Sequence, residues 1–253
     1  MARTADVIAR LDELLEARGF ADLGPNGLQV PGRDAVFRVV TGVTATKALI
    51  DRAVALDADL VLVHHGLFWD FDPAGLTPVL AERLRPLFKH EVNLAAYHLP
   101  LVAHAELGIN AQLARAIGLE DLEPFGDFKG RAIGRAGRYP GDGIALGEFL
   151  QRVARATERE PLHHPGGPDT IRTAGIVTGS AASSLREAAA RGLDAFVTGE
   201  PREHTMGEAA EYGVHFLAAG HYATETFGVR RLGELLEREL GLEHHWVPLP
   251  NPV

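Results

Sequence analysis

Leu60-Val-Leu-Val-His-His-Gly66 is the stretch whose reading decides the fold. Four consecutive apolar residues are the pattern of a strand buried on both faces, and two imidazoles follow where that strand should emerge into a loop. Ligands of open parallel sheets bind at the carboxyl ends of strands, and imidazole is the commonest metal ligand, so position and chemistry agree. In a chain with 12 histidines, an adjacent pair does not by itself separate a metal site from a surface pair. Its meaning depends on what surrounds it.

Upstream, Val36 to Val43 is β-rich and predicts the first strand of the main sheet. Thr44 or Thr46 then caps a helix carrying Ala48, Leu49, Ala53, Val54 and Leu56, which returns the chain to Leu60. That is a strand–helix–strand unit of the length a right-handed crossover needs, so the sheet is expected to be parallel. At the start of the chain Thr4 is placed to cap a helix with Val7, Ile8, Leu11, Leu14 and Leu15 on one face, and Gly19 to end it. Downstream, the spacing predicts a helix from Pro78 to His90 and a third strand from Val92 to Tyr97, delivering His98 at its end. A further helix runs through Ala111, Leu113, Ala114 and Ile117. The glycine-rich region Gly126 to Gly143 predicts short strands and a boundary between an N-terminal lobe, 1–125, and a C-terminal lobe, 126–253. A helix from Ala145 to Thr157 follows, and a turn-rich loop from Pro161 to Pro168 places His163-His164 on the surface.

An internal repeat ties the two halves together. Val43-Thr-Ala opens a segment that reaches Val63 twenty residues later, and Val177-Thr-Gly opens one that reaches Val197 at the same distance. The alignment sets His64-His65-Gly66 against Thr198-Gly199-Glu200, and His98 against His221. The expected fold class is therefore α/β, two similar lobes built from duplicated βαβ units with mostly parallel sheets. His221 opens a long amphipathic helix (Val229, Leu232, Leu235, Leu236, Leu240), with Glu225 one turn on. An imidazole and a carboxylate so spaced can converge on one ion, or Glu225 can simply complement the helix dipole. Beside His64-His65 in a duplicated sheet, the metal reading prevails.

Composition narrows the chemistry. With 253 residues, 46% hydrophobic and 23% charged, the chain has material for one large domain or two intimate ones. A formal net charge of −9 argues against a nucleic-acid surface. No cysteine is present, which excludes disulfides and thiolate ligands and leaves nitrogen and oxygen to hold any metal. Neither a secretory leader nor a run of about 18 apolar residues is visible, so a cytoplasmic protein without membrane contact is expected.

The motifs also resemble a known family. Asn26-Gly-Leu-Gln-Val30, Gly42-Val-Thr-Ala-Thr46, Val63-His-His-Gly-Leu-Phe-Trp69, Tyr97-His-Leu-Pro-Leu101, His104 to Leu113, Thr198-Gly-Glu200, Ala219-Gly-His-Tyr-Ala-Thr-Glu225 and Pro250-Asn-Pro-Val253 are similar to stretches of the NIF-three-like dinuclear metal centre hexameric family. They run nearly end to end, and HHGxFW followed by GHxATE is a specific order. The resemblance implies two lobes facing each other across a metal-binding cleft, a toroidal homohexamer and two metals per subunit. By position the metal ligands would be His64, His65, His221 and Glu225. The family also places an aspartate four residues after the histidine matching His98, and this chain has Val102 there. The repeat makes the same point, since it sets Val102 against Glu225. One or two divalent ions per chain are therefore expected, with the second weakly held, and the donor set suits Zn, Fe, Mn, Co or Ni alike.

The activity the resemblance implies is that of GTP cyclohydrolase 1 type 2, a metal-dependent hydrolase that opens the guanine ring of GTP, a small-molecule nucleotide substrate, with metal-activated water. His98, Glu200 and His104 are the candidates for proton transfer, by motif position. Gly179 and Ser180 precede a helix, where backbone N–H groups can meet a phosphate or merely open a capped helix. Two other readings share the site: a metal-binding scaffold or regulatory hexamer without turnover, which the missing carboxylate at 102 favours, and a metal-dependent phosphoesterase.

Overall fold

The computed structural model describes residues 1–73 and 75–253 and divides them into two compact units. The first comprises Met1–Leu101 and Gly228–Leu249, the second Val102–Phe227 and Pro250–Val253. The expected division at residue 126 is thus corrected in two places. Residues 102–125 belong to the second unit because Leu113, Ala114, Ile117 and Leu119 pack into its core. Residues 228–249 return to the first because their strand joins its sheet.

In the first unit, α1 (Thr4–Leu14) is followed by β1 (Gly27–Val30), β2 (Arg38–Thr44), α2 (Lys47–Ala55), β3 (Leu60–His65), α3 (Pro78–Lys89) and β4 (Asn93–Ala96). Thr4 does not cap α1 but sits inside it, donating its hydroxyl to the Arg33 carbonyl at 2.8 Å. Thr46, not Thr44, caps α2, accepting from the Leu49 N–H. The crossover is parallel as expected: Val39 pairs Leu60 and Leu60 pairs Asn93. Buried Val40, Val61, Val63 and Leu94 meet Leu49, Ile50, Leu84 and Leu87 of the covering helices.

The second unit begins inside α4 (Leu99–Ala103) and continues with α5 (Ile109–Ala116). The glycine-rich region then forms one long hairpin, β5 (Glu120–Phe128) and β6 (Arg131–Arg138), where short strands were expected. It turns on Lys129 and Gly130, both at positive φ (53° and 84°), as a two-residue hairpin loop requires. Next come α6 (Leu146–Thr157), β7 (Leu162–His164), β8 (Thr173–Ile176), α7 (Leu185–Ala190), β9 (Ala195–Thr198), α8 (Thr205–Tyr212), β10 (His215–Ala218) and α9 (His221–Leu240). The unit boundary falls within α9, whose later turns lead to β11 (Glu243–Trp246) in the first sheet. No helix among the described residues is long and apolar enough to cross a membrane.

Strand orders are β11-β2-β3-β4-β1 and β7-β10-β9-β8-β6-β5. Each sheet has a parallel centre, β2-β3-β4 and β8-β9-β10, and an antiparallel strand beside its third member, β1 and β7. The duplication is real at the level of topology. The second sheet is covered on both faces: Val197 and Leu217 pack with Phe149 and Val153, while Phe196 and Phe216 pack with Leu185 and Ala188. Burying each such side chain stabilises the fold by roughly 1.5–3 kcal/mol.

The register of the repeat differs by one residue from the sequence alignment. Asp59 accepts the N–H groups of Phe37 and Arg38 at 2.8 and 2.9 Å, and Asp194 accepts those of Arg172 and Thr173 at the same distances. Leu60 pairs Val39 as Ala195 pairs Ala174, and the Tyr97 N–H reaches the Val63 carbonyl as that of Ala219 reaches Thr198. Hence Val63 corresponds to Thr198, His65 to Glu200 and His98 to Gly220. Setting Val63 against Val197 and His98 against His221 is corrected accordingly, and with it the opposition of Val102 to Glu225. In a structure of period two, a one-residue slip exchanges faces.

Candidate metal centre

In the first unit, His64, His65 and His98 each offer a ligand atom, and these atoms lie within 4.8 Å of one another. Ring centroids are 4.5 Å apart for His64 and His65, 5.0 Å for His64 and His98, and 5.7 Å for His65 and His98. Strand β3 ends in the first two and the segment after β4 carries the third, so adjacent parallel strands deliver all three.

Each imidazole is held through Nδ1. His64 Nδ1 lies 3.0 Å from the Tyr97 carbonyl, which can only accept, so this nitrogen carries the proton and Nε2 the lone pair. His98 Nδ1 donates to Asp22 at 2.6 Å, and His65 Nδ1 lies 3.1 Å from the Thr44 hydroxyl. A partner of this kind on the far nitrogen fixes the tautomer and ring direction of metal-binding histidines. Burial works to raise the Asp22 pKa, but the hydrogen bond and charge of His98, with Asn26 and the Leu23 N–H, outweigh it and pull the carboxyl down to about 2. Asp22 also accepts the Leu99 N–H at 2.9 Å, and Asn26 bridges it to the His98 N–H.

Nothing in the periodicity marked Asp22, because its role depends on a loop folding back over 76 residues. Asn26 and Gln29 lie in the recognised Asn26-Gly-Leu-Gln-Val30 motif, and the structure supplies their function. Gln29 accepts the Leu67 N–H at 2.7 Å and donates to the Pro25 carbonyl, holding the turn after His65. A Cβ at Gly66 would come within 2.3 Å of the Gln29 amide, so a side chain there would push that amide off the Leu67 N–H.

The second unit contributes a different set. His221 opens α9 and Glu225 follows one turn on, with Nε2 and Oε2 3.2 Å apart, and Nδ1 of His221 is held by the Glu200 carboxylate. Burial, the largest influence, lowers the His221 pKa, yet the hydrogen bonds and charges of Glu225 and then Glu200 prevail and raise it to about 9. Glu200 thus touches His221 as Asp22 touches His98. Gly179, at φ 69°, lets the backbone pass beside this pair: a Cβ there would lie 2.6 Å from Glu225 Oε1 and 3.3 Å from His221 Nε2. Its carbonyl accepts the N–H groups of Gly199 and Glu200, and its N–H points to the Thr224 hydroxyl at 3.5 Å, so Gly179 has structural partners of its own. Ser180 is exposed, and the helix beyond it, α7, has six residues. His104 Nδ1 accepts the Glu106 and Leu107 N–H groups, closing a turn.

His163 and His164 are also relocated. They lie in β7, not in a loop: His163 Nε2 is 3.1 Å from His215 Nδ1, and His164 stacks on Phe216.

The imidazole group fits a divalent ion by its own chemistry: three ring-nitrogen donors, two of them held at Nδ1 by an acceptor and all within one coordination sphere's reach. The profile of Duf34/NIF3 (NGG1p interacting factor 3) matches residues 2–252. The chain belongs to this family. Among similar relatives is a Pseudomonas aeruginosa protein named GTP cyclohydrolase 1 type 2 homolog, 42% identical over 247 residues, covering 98% of this chain and 97% of the relative. A Deinococcus radiodurans protein of the same name is 41% identical over 246 residues, covering 97% and 93%. Among solved structures, the protein ybgI, described as of unknown function, superposes with a TM-score of 0.92 at 38% identity over 99% of this chain and 100% of that one. TTHA1606 from Thermus thermophilus superposes at 0.91 and 37% identity with the same coverage. For this family member, the α/β fold and a set of histidine and glutamate side chains able to hold metal are therefore established together.

Proposed function

We propose that this chain is a metal-dependent hydrolase acting on a small nucleotide, GTP by analogy with the names its relatives carry. The observation that carries the reading is the group of three converging imidazoles, each braced at Nδ1. His64 and His65 would hold the ion, with His98 a third nitrogen within reach, and the family pattern adds His221 and Glu225 to the ligand set. A divalent ion bound by such donors supplies Lewis acidity and brings the pKa of water toward neutrality. The chain's own part is orientation and proton handling. Asp22 holds a proton on His98 Nδ1, and Glu200 does so on His221 Nδ1, so both rings are kept in one direction. His98 and Glu200 are therefore the groups we assign to positioning and proton transfer, and His104, engaged with its own turn, is the weaker choice.

Metal binding without turnover is a second reading, favoured by one observation: position 102 carries a buried valine, which offers a second ion no charge. The test is release of a ring-opened product from GTP, and of phosphate from a generic phosphoester, with and without added Zn, Mn, Fe, Co or Ni. Turnover of GTP that follows metal loading supports the hydrolase. Full metal binding with no turnover of either substrate supports the scaffold, and phosphoester cleavage alone assigns a phosphoesterase.

A further inference from the structure

Two residues past the turn that Gln29 holds, the first unit carries an aromatic pair that the metal chemistry does not use. Trp69 and Phe71 are stacked, with centroids 5.6 Å apart and planes 14° from parallel. Phe71 is 71% exposed, among the most exposed large apolar side chains described. Trp69 stands edge-on to His98 at 5.0 Å and lies 5.9 Å from His65, so the stack begins at the imidazole group and ends in solvent.

The backbone that carries the pair is hydrogen-bonded on both sides of Phe71. The Asp70 N–H donates to the Leu23 carbonyl at 2.8 Å, and the Asp72 N–H to the Trp69 carbonyl at 3.0 Å. Gly24 lies so close beneath that a Cβ there would be 2.5 Å from the Phe68 carbonyl oxygen and 3.3 Å from the Trp69 ring. The segment that orients His98 through Asp22 is thus the segment on which the aromatic loop rests. A surface held this way loses little freedom on binding.

We propose that the Trp69–Phe71 stack is a platform for a planar heteroaromatic ring of the substrate, held beside the imidazole group. An exposed phenyl face braced from behind is what base-stacking proteins present, and stacking tolerates any ring with a π-face. Charge sets the orientation. Asp70 and Asp72, the sequence neighbours of Phe71, are both exposed, and carboxylates at these positions would repel phosphate and accept hydrogen bonds from ring amino groups. The base end of a nucleotide, not its phosphate end, belongs here. In calling the ligand a substrate, this inference rests on the hydrolase reading, but the binding itself does not.

The test is calorimetric titration of the whole protein with GMP, AMP and the ring-free ribose 5-phosphate, repeated on Phe71→Ala and Phe71→Tyr. Expected are saturable binding of both nucleotides, much weaker binding of ribose 5-phosphate, a roughly 5- to 150-fold loss of nucleotide affinity in F71A, and recovery in F71Y. Because Phe71 is exposed, the thermal melt of F71A should match the parent. Equal affinity of parent and F71A, or no saturable nucleotide binding by the parent, overturns the platform. So does a loss of self-association in F71A with nucleotide affinity unchanged, which would make Phe71 a contact between copies. Should metal-dependent turnover never be found while F71A still loses nucleotide affinity, the platform stands and the hydrolase reading falls. Ring opening of GTP that follows metal loading, with equal nucleotide affinity in the parent and F71A, gives the reverse.

Discussion

Asp22 shows how much a single side chain can decide. Its carboxylate, almost wholly buried, collects His98 Nδ1, the Leu23 and Leu99 N–H groups and the Asn26 amide. Asp22→Asn removes the charge that favours a proton on Nδ1 and sets an amide N–H₂ against other donors. Zinc affinity, measured by competition with a chromophoric chelator, should fall by about 10- to 100-fold, as losses of this kind of partner do. Unchanged affinity would mean that His98 takes no part in binding. His64→Ala and His221→Ala should each lower bound metal in elemental analysis while circular dichroism stays native, since both donors lie at element ends. Full metal content in both variants would sink the ligand assignment.

At the scale of elements, the paired aspartates before β3 and β9 clamp two N–H groups each from the neighbouring strand. Asp59 is 5% exposed and also pairs Arg33 at 3.1 Å, so Asp59→Ala strands buried donors and should cost about 2–4 kcal/mol in urea unfolding. Asp194 is less buried, and Asp194→Ala should cost about 1–2 kcal/mol. Equal costs would show that burial is not what sets them apart. Strand β7 adds a pH dependence. Burial first, then the charges of His215 and His164, lowers the His163 pKa, so the folded state takes up its proton less readily than the unfolded chain. This contribution to stability is complete above the ordinary value of 6.5 and declines as pH falls below it, because the unfolded state then binds more protons. His163→Phe should flatten the fall in unfolding free energy between pH 7.5 and 5.5. An unchanged slope would assign that fall to other groups.

For the whole molecule, position 102 bears on metal count. Val102 is 5% exposed, so an aspartate there is an unpaired buried charge unless a cation meets it. Two dications at about 3.5–4 Å repel strongly and need anionic bridging. The native chain should therefore hold fewer than two tight ions. Val102→Asp should be destabilised by roughly 2–4 kcal/mol without metal, recover on metal loading, and bind closer to two ions per chain. Two full-occupancy ions in the native protein would show that another residue has taken the aspartate's place. A homohexamer is proposed from the family likeness, and sedimentation that finds a stable monomer at micromolar concentration would refute it.

The apolar run at Leu60 to Val63, the helical spacing of α2 and the order of the motifs were enough to read an α/β chain, its parallel crossovers and its histidines. Those features are local: a buried strand and an amphipathic helix impose their periods on the residues themselves. The hairpin from Glu120 to Arg138 was obscured because its glycines, such as Gly126 and Gly134, serve close packing against Val177 that no local pattern encodes. Register was beyond the sequence for a similar reason. Counting twenty residues between valines treats the two crossovers as equal, whereas pairing is marked by the hydrogen bonds that Asp59 and Asp194 accept from the strand beside each. Asp22, Thr44, Gln29 and the Tyr97 carbonyl act on the site through contacts spanning 21 to 76 positions. The sequence by itself offered the imidazoles and the carboxylate as candidates, but that His98 joins His64 and His65 came from the fold. Only the tertiary structure decided which nitrogen of each ring faces it, because that depends on what distant backbone lies behind the ring.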